Sequence, residues 1–275
     1  MRRVAILHPD LGIGGAEALI ITLALALQSK DYADVTIYTP FYDRNRCLKE
    51  SYQCKVVVAG AWFPRTIFGR CIALCAYIRM MLCALYVLVM CGRFDLYVVD
   101  QVSLPVPLLR LRSRVLFYCH HPDKLLCTNR GNILMKAYRA VLDFFEEVTT
   151  ALASITLVNS EYTLRVYQES FKLINRFCRQ RPQILYPACD FTMFDKVASD
   201  TKTVQELIGQ ISDSEIVVTS LNRYERKKDI PLALKAVAGL SHKVTLVIAG
   251  GYDERVIENV EHHLELVNLS KKLKV

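Results

Sequence analysis

Three stretches of this chain combine residue types that could do chemistry. The first is a glycine turn, Gly12-Ile13-Gly14-Gly15, placed between a short apolar run and a long one from Ala16 to Gln28. Glycines at a strand-to-helix turn let backbone N–H groups approach a phosphate or sugar at the helix N-terminus. The dinucleotide fingerprint does not fit. With Gly12 and Gly14 as its first two glycines the third position is Glu17, and the second apolar run ends Tyr38-Thr39-Pro40 with no carboxylate for a ribose. The turn reads as a loop that a ligand approaches closely; glycines that merely serve the turn are the alternative.

The second stretch is Phe117-Tyr118-Cys119-His120-His121-Pro122-Asp123. It ends a predicted strand, where α/β sheets place their ligands. An imidazole there can hydrogen-bond a sugar hydroxyl or stabilise developing charge, and a histidine pair that only caps or packs is the alternative. Cys119, His120, His121, Asp123 and Cys127 do not read as a zinc site, because neighbouring side chains on an extended segment point opposite ways. No metal is expected. The third stretch, Asn222 to Lys228, carries Arg223, Arg226, Lys227 and Lys228 directly after a predicted strand. Arginine forks and lysine point charges suit a diphosphate. A solvated charge run is the alternative. Nucleic acid is not expected, since the run lacks interleaved exposed aromatics. Among the carboxylates, Glu146 and Glu147 read as helix surface, and Glu254, Glu258, Glu261 and Glu265 recur at helical spacing as a solvated face.

These residues need elements to hold them. The 275 residues, 52% apolar and 23% charged, allow one large domain or two modest ones and exclude a disordered chain. Strands are predicted at Val4–Leu7, Val35–Tyr38, Lys55–Ala59, Leu96–Asp100, Arg114–Tyr118, Ile155–Asn159 and Ile184–Tyr186. A second series follows: strand Ile216–Ser220, helix Pro231–Leu240, strand Lys243–Ala249 and a polar helix from about Asp253 to Lys272. Near-continuous apolar strands alternating with helices predict an α/β fold of parallel sheets, as two Rossmann-like domains. The expected division is 1–190, a linker at 191–214, and a second, partial domain at 215–275.

Charge and hydropathy add a surface. The net charge is +8, and residues 51–94 contain no acid, only Lys55, Arg65, Arg70, Arg79 and Arg93. Such a field attracts phosphates or an anionic membrane. Cys71 to Gly92 is apolar apart from Arg79, with Trp62 and Phe63 just upstream. It could span a bilayer, lie in its interface or form a buried crossover helix, and Tyr77 and Tyr86 fit burial or an interface equally. Arg79 could snorkel out of such a helix. The ten cysteines, four of them (Cys71, Cys75, Cys83 and Cys91) in that segment, read as buried thiols of a reducing compartment. Arg2 and Arg3 precede an apolar run that His8-Pro9-Asp10 interrupts too early for an export signal, so a cytosolic side is expected.

Seven stretches then fall into one pattern: HPDLGIGGAE at 8–17, CAYIRMMLCALYVL at 75–88, FDLYVVDQVS at 94–103, FYCHHPDKLL at 117–126, NSEYT at 159–163, ILYPACDF at 184–191 and NRYERKKDIPLALKA at 222–236. Together they resemble the retaining glycosyltransferases of family 4, which have the GT-B architecture, and among these the mannosyltransferases of dolichol-linked oligosaccharide assembly. The resemblance implies transfer of mannose from GDP-mannose to a dolichyl-diphosphate oligosaccharide, in alpha-1,3 and alpha-1,6 linkage. It implies work at the cytosolic face of the endoplasmic reticulum membrane, beside other glycosyltransferases of the pathway. It gives the first domain to the acceptor and the second to the donor. Gly14 and Gly15 would lie near the donor diphosphate and sugar, His120 would contact the transferred mannose, and Arg223 and Lys228 would clasp the diphosphate without a metal. The absence of any D-x-D triplet agrees. The family also carries an E-x7-E pair further along, which the sequence given does not reach by Val275. A C-terminally incomplete chain is therefore expected. Transfer of a different sugar, or a non-catalytic membrane scaffold of the same fold, are the alternatives.

Overall fold

Four consecutive residues of β1 (Arg2–Leu7), Val4 to Leu7, are buried, as a parallel strand covered on both faces requires. The computed structural model that shows this describes all residues except 30, 128–130, 178–180, 190–215, 242–243, 253 and 255. The chain divides into two compact units, Met1–Cys189 and Asp190–Val275. The first holds β2 (Ala33–Thr39), β3 (Lys55–Val58), β4 (Leu96–Asp100), β5 (Arg114–Cys119), β6 (Ile155–Val158) and β7 (Gln183–Ile184). All pair in parallel, in the order β3-β2-β1-β4-β5-β6-β7. From β1 the helix α1 (Gly15–Ser29) leads outward to β2; from β4 the short α3 (Val106–Arg110) leads the other way to β5. The order therefore reverses between β1 and β4, and the crevice at their carboxyl ends is where such sheets bind ligands.

Alternation along β1 feeds two cores. Val4 and Ile6 pack with Ile20, Ile21, Val35 and Ile37 on the α1 side. Ala5 and Leu7 pack on the other side with Val99, Phe117 and residues of α2 (Ile72–Met90). Although α2 is long and apolar enough to cross a bilayer, it runs from β3 to β4 in one sheet, and β4 pairs with β1. It is a crossover helix, which excludes the spanning reading. Cys75, Tyr77, Met80, Cys83 and Val87 face the core, while Leu85, Tyr86, Val89 and Met90 are exposed. Arg79 does not snorkel. Buried to 6% exposure, it donates through Nη2 to the Pro40 carbonyl at 2.8 Å and through Nη1 to Asp10 at 3.4 Å. Cys71 is exposed rather than buried, and the nine described cysteines are free thiols.

In the second unit β8 (Ile216–Leu221) and β9 (Val244–Ala249) pair in parallel from Ile216↔Val244 to Leu221↔Ala249. Two helices, Ile230–Ala238 and Ile257–Leu273, meet through Ile230, Leu234 and Leu266. The expected linker at 191–214 lies outside the described residues.

Candidate active site

Asp100 ends β4 with no solvent exposure. Its Oδ2 lies 2.7 Å from His8 Nδ1 and its Oδ1 lies 2.9 Å from His120 Nε2. Register explains the meeting. Leu7 pairs with Val99 and Asp100 with Tyr118, so His8 leaves β1 beside Asp100, and His120 follows two residues after Tyr118. The three side chains sit at the carboxyl ends of adjacent strands, across the point where strand order reverses. An ionised carboxylate only accepts, so both rings donate to it from these nitrogens and His120 keeps Nδ1 for another partner. Burial alone would raise the Asp100 pKa, but hydrogen bonds from His120 and His8 outweigh it and hold the carboxyl below its ordinary value. For His8, burial opposes charge, yet the hydrogen bond and charge of Asp100 win and the imidazole pKa is raised.

His120 is supported from both sides. Its ring stands 4.8 Å from that of Tyr118, and its carbonyl accepts from Asn159 Nδ2 at 3.1 Å. Next to Asp100, Gln101 adopts a left-handed φ of 62° and donates its N–H to the Tyr118 carbonyl at 3.0 Å. Strain of this kind persists where surroundings over-determine it. His121 faces the other way, into a crevice of about 680 Å³ shared with Lys124, Tyr162 and Glu169. The two imidazoles therefore diverge. Among the described residues no cluster of His, Cys, Asp and Glu is arranged to hold a metal ion.

Gly14 and Gly15 open α1 at the same edge of the sheet. A Cβ at Gly15 would meet nothing within 4 Å, and one at Gly14 would meet only the flexible Glu17 carboxylate. Neither needs a left-handed φ. Packing does not demand glycine at either position, whereas a ligand pressed against the backbone would.

Glu146 and Glu147 are buried, at 3% and 7% exposure, and the expectation of helix surface is wrong. They lie on α5 (Ile133–Ala151) and serve as caps. Glu146 accepts the N–H groups of Asp123 and Lys124 at 2.6 and 2.9 Å, at the start of the one-turn α4 (Asp123–Leu126). Glu147 accepts those of Leu173 and Ile174 at 2.5 and 3.3 Å, at the start of Lys172–Phe177. Thus α5 fixes the loop that leaves the histidine pair. Burial pushes the Glu146 pKa up to about 7. Its folded value is raised, so its stabilisation is full below the unfolded value of about 4.3 and is lost as pH rises through about 7. Glu146→Gln is expected to flatten the decline of stability across that window, measured by urea unfolding at several pH values; an unchanged slope would refute the assignment.

In the second unit Arg223 is exposed, 3.2 Å from Glu225, and Lys228 closes a single 3₁₀ turn, exposed and without an ion pair among the described residues. Arg226 is engaged elsewhere. It reaches Glu261 and Glu265 at 2.9 and 2.7 Å and donates its backbone N–H to Glu258 at 3.1 Å. The acidic face is thus a clamp for Arg226 rather than a purely solvated surface. Hydrogen bonds from Arg226 and then His262 pull Glu265 down to about 2. Of the residues singled out from sequence, the fold brings His120, Gly14 and Gly15 to one sheet edge of the first unit, with Arg223 and Lys228 in the second. His8 and Asp100 were missed, although each stands at the carboxyl end of an apolar strand.

Solved structures share this arrangement. Sucrose-phosphate synthase from Thermosynechococcus elongatus aligns with a TM-score of 0.69 at 17% identity, over all of this chain and 68% of that one. WaaG, a glycosyltransferase of lipopolysaccharide biosynthesis, aligns with a TM-score of 0.60 at 15% identity, over 99% of this chain and 67% of that one. The fold is that of the GT-B glycosyltransferases. More narrowly, the chain belongs to glycosyltransferase family 4, whose pattern it matches over residues 13–190. It is 45% identical over 277 aligned positions to alpha-1,3/1,6-mannosyltransferase ALG2 of Mus musculus and of Homo sapiens. Those alignments cover 96% of this chain but 65% and 64% of the two relatives, so the chain spans just under two thirds of their length. The Dictyostelium discoideum protein of the same name is 44% identical, over 98% of this chain and 68% of its own.

Proposed function

We propose that this protein is a retaining mannosyltransferase that moves mannose from GDP-mannose to a dolichyl-diphosphate-linked oligosaccharide, making alpha-1,3 and alpha-1,6 additions at the cytosolic face of the endoplasmic reticulum membrane. The observation that carries the reading is the His8–Asp100–His120 cluster at the strand reversal, in a chain 45% identical to mannosyltransferases over most of its length. In this scheme His120 contacts the transferred mannose, with its ring held by Asp100, which His8 holds in turn. Gly14 and Gly15 let the donor diphosphate and sugar approach the backbone. Arg223 and Lys228 clasp the diphosphate and stabilise GDP as it leaves, the task a metal performs in other transferases. The bond from the anomeric carbon to phosphate breaks as the bond to the acceptor oxygen forms on the same face, and the acceptor's proton passes to the departing phosphate. No protein nucleophile is needed. A lipid-borne acceptor brings the enzyme to a membrane, and α2 offers it an exposed apolar face at Leu85, Val89 and Met90.

The test is a transfer assay with GDP-mannose and the mannosyl-chitobiosyl-pyrophosphoryl lipid. His120→Ala should cut transfer at least about tenfold, or about 1.4 kcal/mol of transition-state stabilisation, with the melting temperature within a few degrees of wild type. His121→Ala, whose side chain faces the other crevice, is the control and should retain most activity. Loss with His121→Ala but not with His120→Ala would overturn the assignment.

A further inference from the structure

The helix α5 is built inside out. Inward, beside Leu142, it turns Arg139, Glu146, Glu147, Thr149 and Thr150, all buried. Outward it turns Leu134, Val141, Phe144, Phe145, Val148 and Leu152, which follows its last turn; Leu134 is 78% exposed, Val141 57% and Phe144 54%. These positions recur at i+3, i+4 and i+7, so they form one stripe along the helix. A water-facing stripe of this size is an interaction surface rather than ordinary scatter.

Two observations say what covers it. One is continuity with a second apolar surface. The Leu74 N–H of α2 donates to the Tyr138 hydroxyl of α5 at 3.1 Å, which fixes the first turns of α2 beside α5. Just before those turns Trp62 is 76% exposed and Phe68 97%, and Ile72 opens α2 exposed as well. The other is charge. The one exposed charge within α5 is Lys136, and the exposed Arg70 lies in the loop leading to α2, where Arg65 is engaged by Asp10 at 2.8 Å; the nearby acid, Asp143, turns to Arg139 at 3.1 Å. Bulky apolar side chains with basic neighbours match the interfacial layer of an anionic bilayer.

We propose that α5 is a membrane-contacting helix, lying in the lipid interface together with the loop before α2. The apolar stripe enters the boundary between headgroups and acyl chains, and Lys136 and Arg70 meet lipid phosphates. Through Glu146 the opposite side of the same helix holds the loop leaving the histidine pair. A lipid-seated α5 therefore sets the height of that loop above the bilayer. This inference rests on the reading of the protein as an enzyme that works at a membrane.

The experiment uses the whole chain and vesicles of phosphatidylcholine with phosphatidylserine. The wild type should float with the vesicles, and Phe144→Glu combined with Val148→Glu should lower the bound fraction about tenfold with an unchanged melting temperature. A Trp62→Phe, Phe144→Trp chain, with its one tryptophan on the stripe, should shift its emission to the blue when vesicles are added and be quenched by brominated lipid. If the wild type does not float, both this inference and the membrane reading fail. If it floats while the glutamate variant floats equally and the reporter tryptophan stays in water, α5 is not the contact, but the membrane reading stands. A blue-shifted reporter in a concentration-dependent dimer without vesicles would assign the stripe to a second copy and overturn the proposal.

Discussion

Asp100→Asn is expected to lower the turnover of mannose transfer by about 100-fold or more, with KM for the donor changing much less. Asp100 is a positioning residue, placed between two rings that both donate to it, from His8 at 2.7 Å and from His120 at 2.9 Å. An asparagine amide can accept from one ring and must point its NH2 at the other. One imidazole then changes tautomer or swings away. In triads where a buried aspartate holds a histidine, this substitution costs about 10⁴ in turnover. Stability should fall as well, because removing one member of a buried charged network costs about 3–5 kcal/mol. The pH dependence separates positioning from simple damage. The Asp100 pKa is lowered, so its contribution is lost as pH falls through the folded carboxyl value; the His8 pKa is raised, so its contribution is lost as pH rises through the folded imidazole value. The wild type should therefore show a stability plateau bounded on both sides, and Asp100→Asn should lose both edges. A variant with normal turnover and the same pH profile would refute the role.

Part of this site was legible in the sequence for a physical reason. Strands covered on both faces are continuously apolar, so Leu96–Asp100 and its neighbours announce themselves, as does a glycine turn after the first strand. Tertiary pairing is not written that way. His8 and Asp100 are 92 residues apart, and they meet because β1 lies beside β4 in one particular register. Apolar periodicity also misleads where a helix has two kinds of partner. In α5 the period marks the outward stripe, and Glu146 and Glu147 go inward to cap backbone N–H groups. Arg79 has the same lesson within α2: an arginine in an apolar run suggests snorkelling, but carbonyl and carboxylate partners under the glycine turn draw it inward. In the second unit, helical spacing of glutamates suggested a solvated face because Arg226 reaches them from a loop over 30 residues away.

Gly60→Ala is expected to destabilise the first unit by about 3 kcal/mol or more. Gly60 follows β3 with a φ of 83°, where an alanine is strained by about 1–2 kcal/mol. The added Cβ would also lie 2.6 Å from the Arg79 carbonyl oxygen and 3.3 Å from the Cys83 nitrogen, both backbone atoms of α2. No rotamer change relieves that overlap, so α2 must move outward. Met80, Cys83, Ala84 and Val87 would then lose part of their packing against the sheet, a loss of the kind that costs further in a close-packed core. At about 2–4 °C per kcal/mol for a chain of this size, the melting temperature should fall by roughly 6–12 °C. Gly69→Ala is the matched control. Its φ is 69°, but a Cβ there meets nothing within 4 Å, so it keeps the conformational penalty without the collision. The difference between the two variants isolates the cost of moving α2. Because Arg79 ties that helix to Pro40 and Asp10 beneath the glycine turn, Gly60→Ala should also reduce mannose transfer at temperatures where it is still folded, while Gly69→Ala should not. Thermal unfolding followed by circular dichroism decides the first point and the transfer assay the second. Equal losses in the two variants would show that α2 tolerates the displacement and does not brace the site.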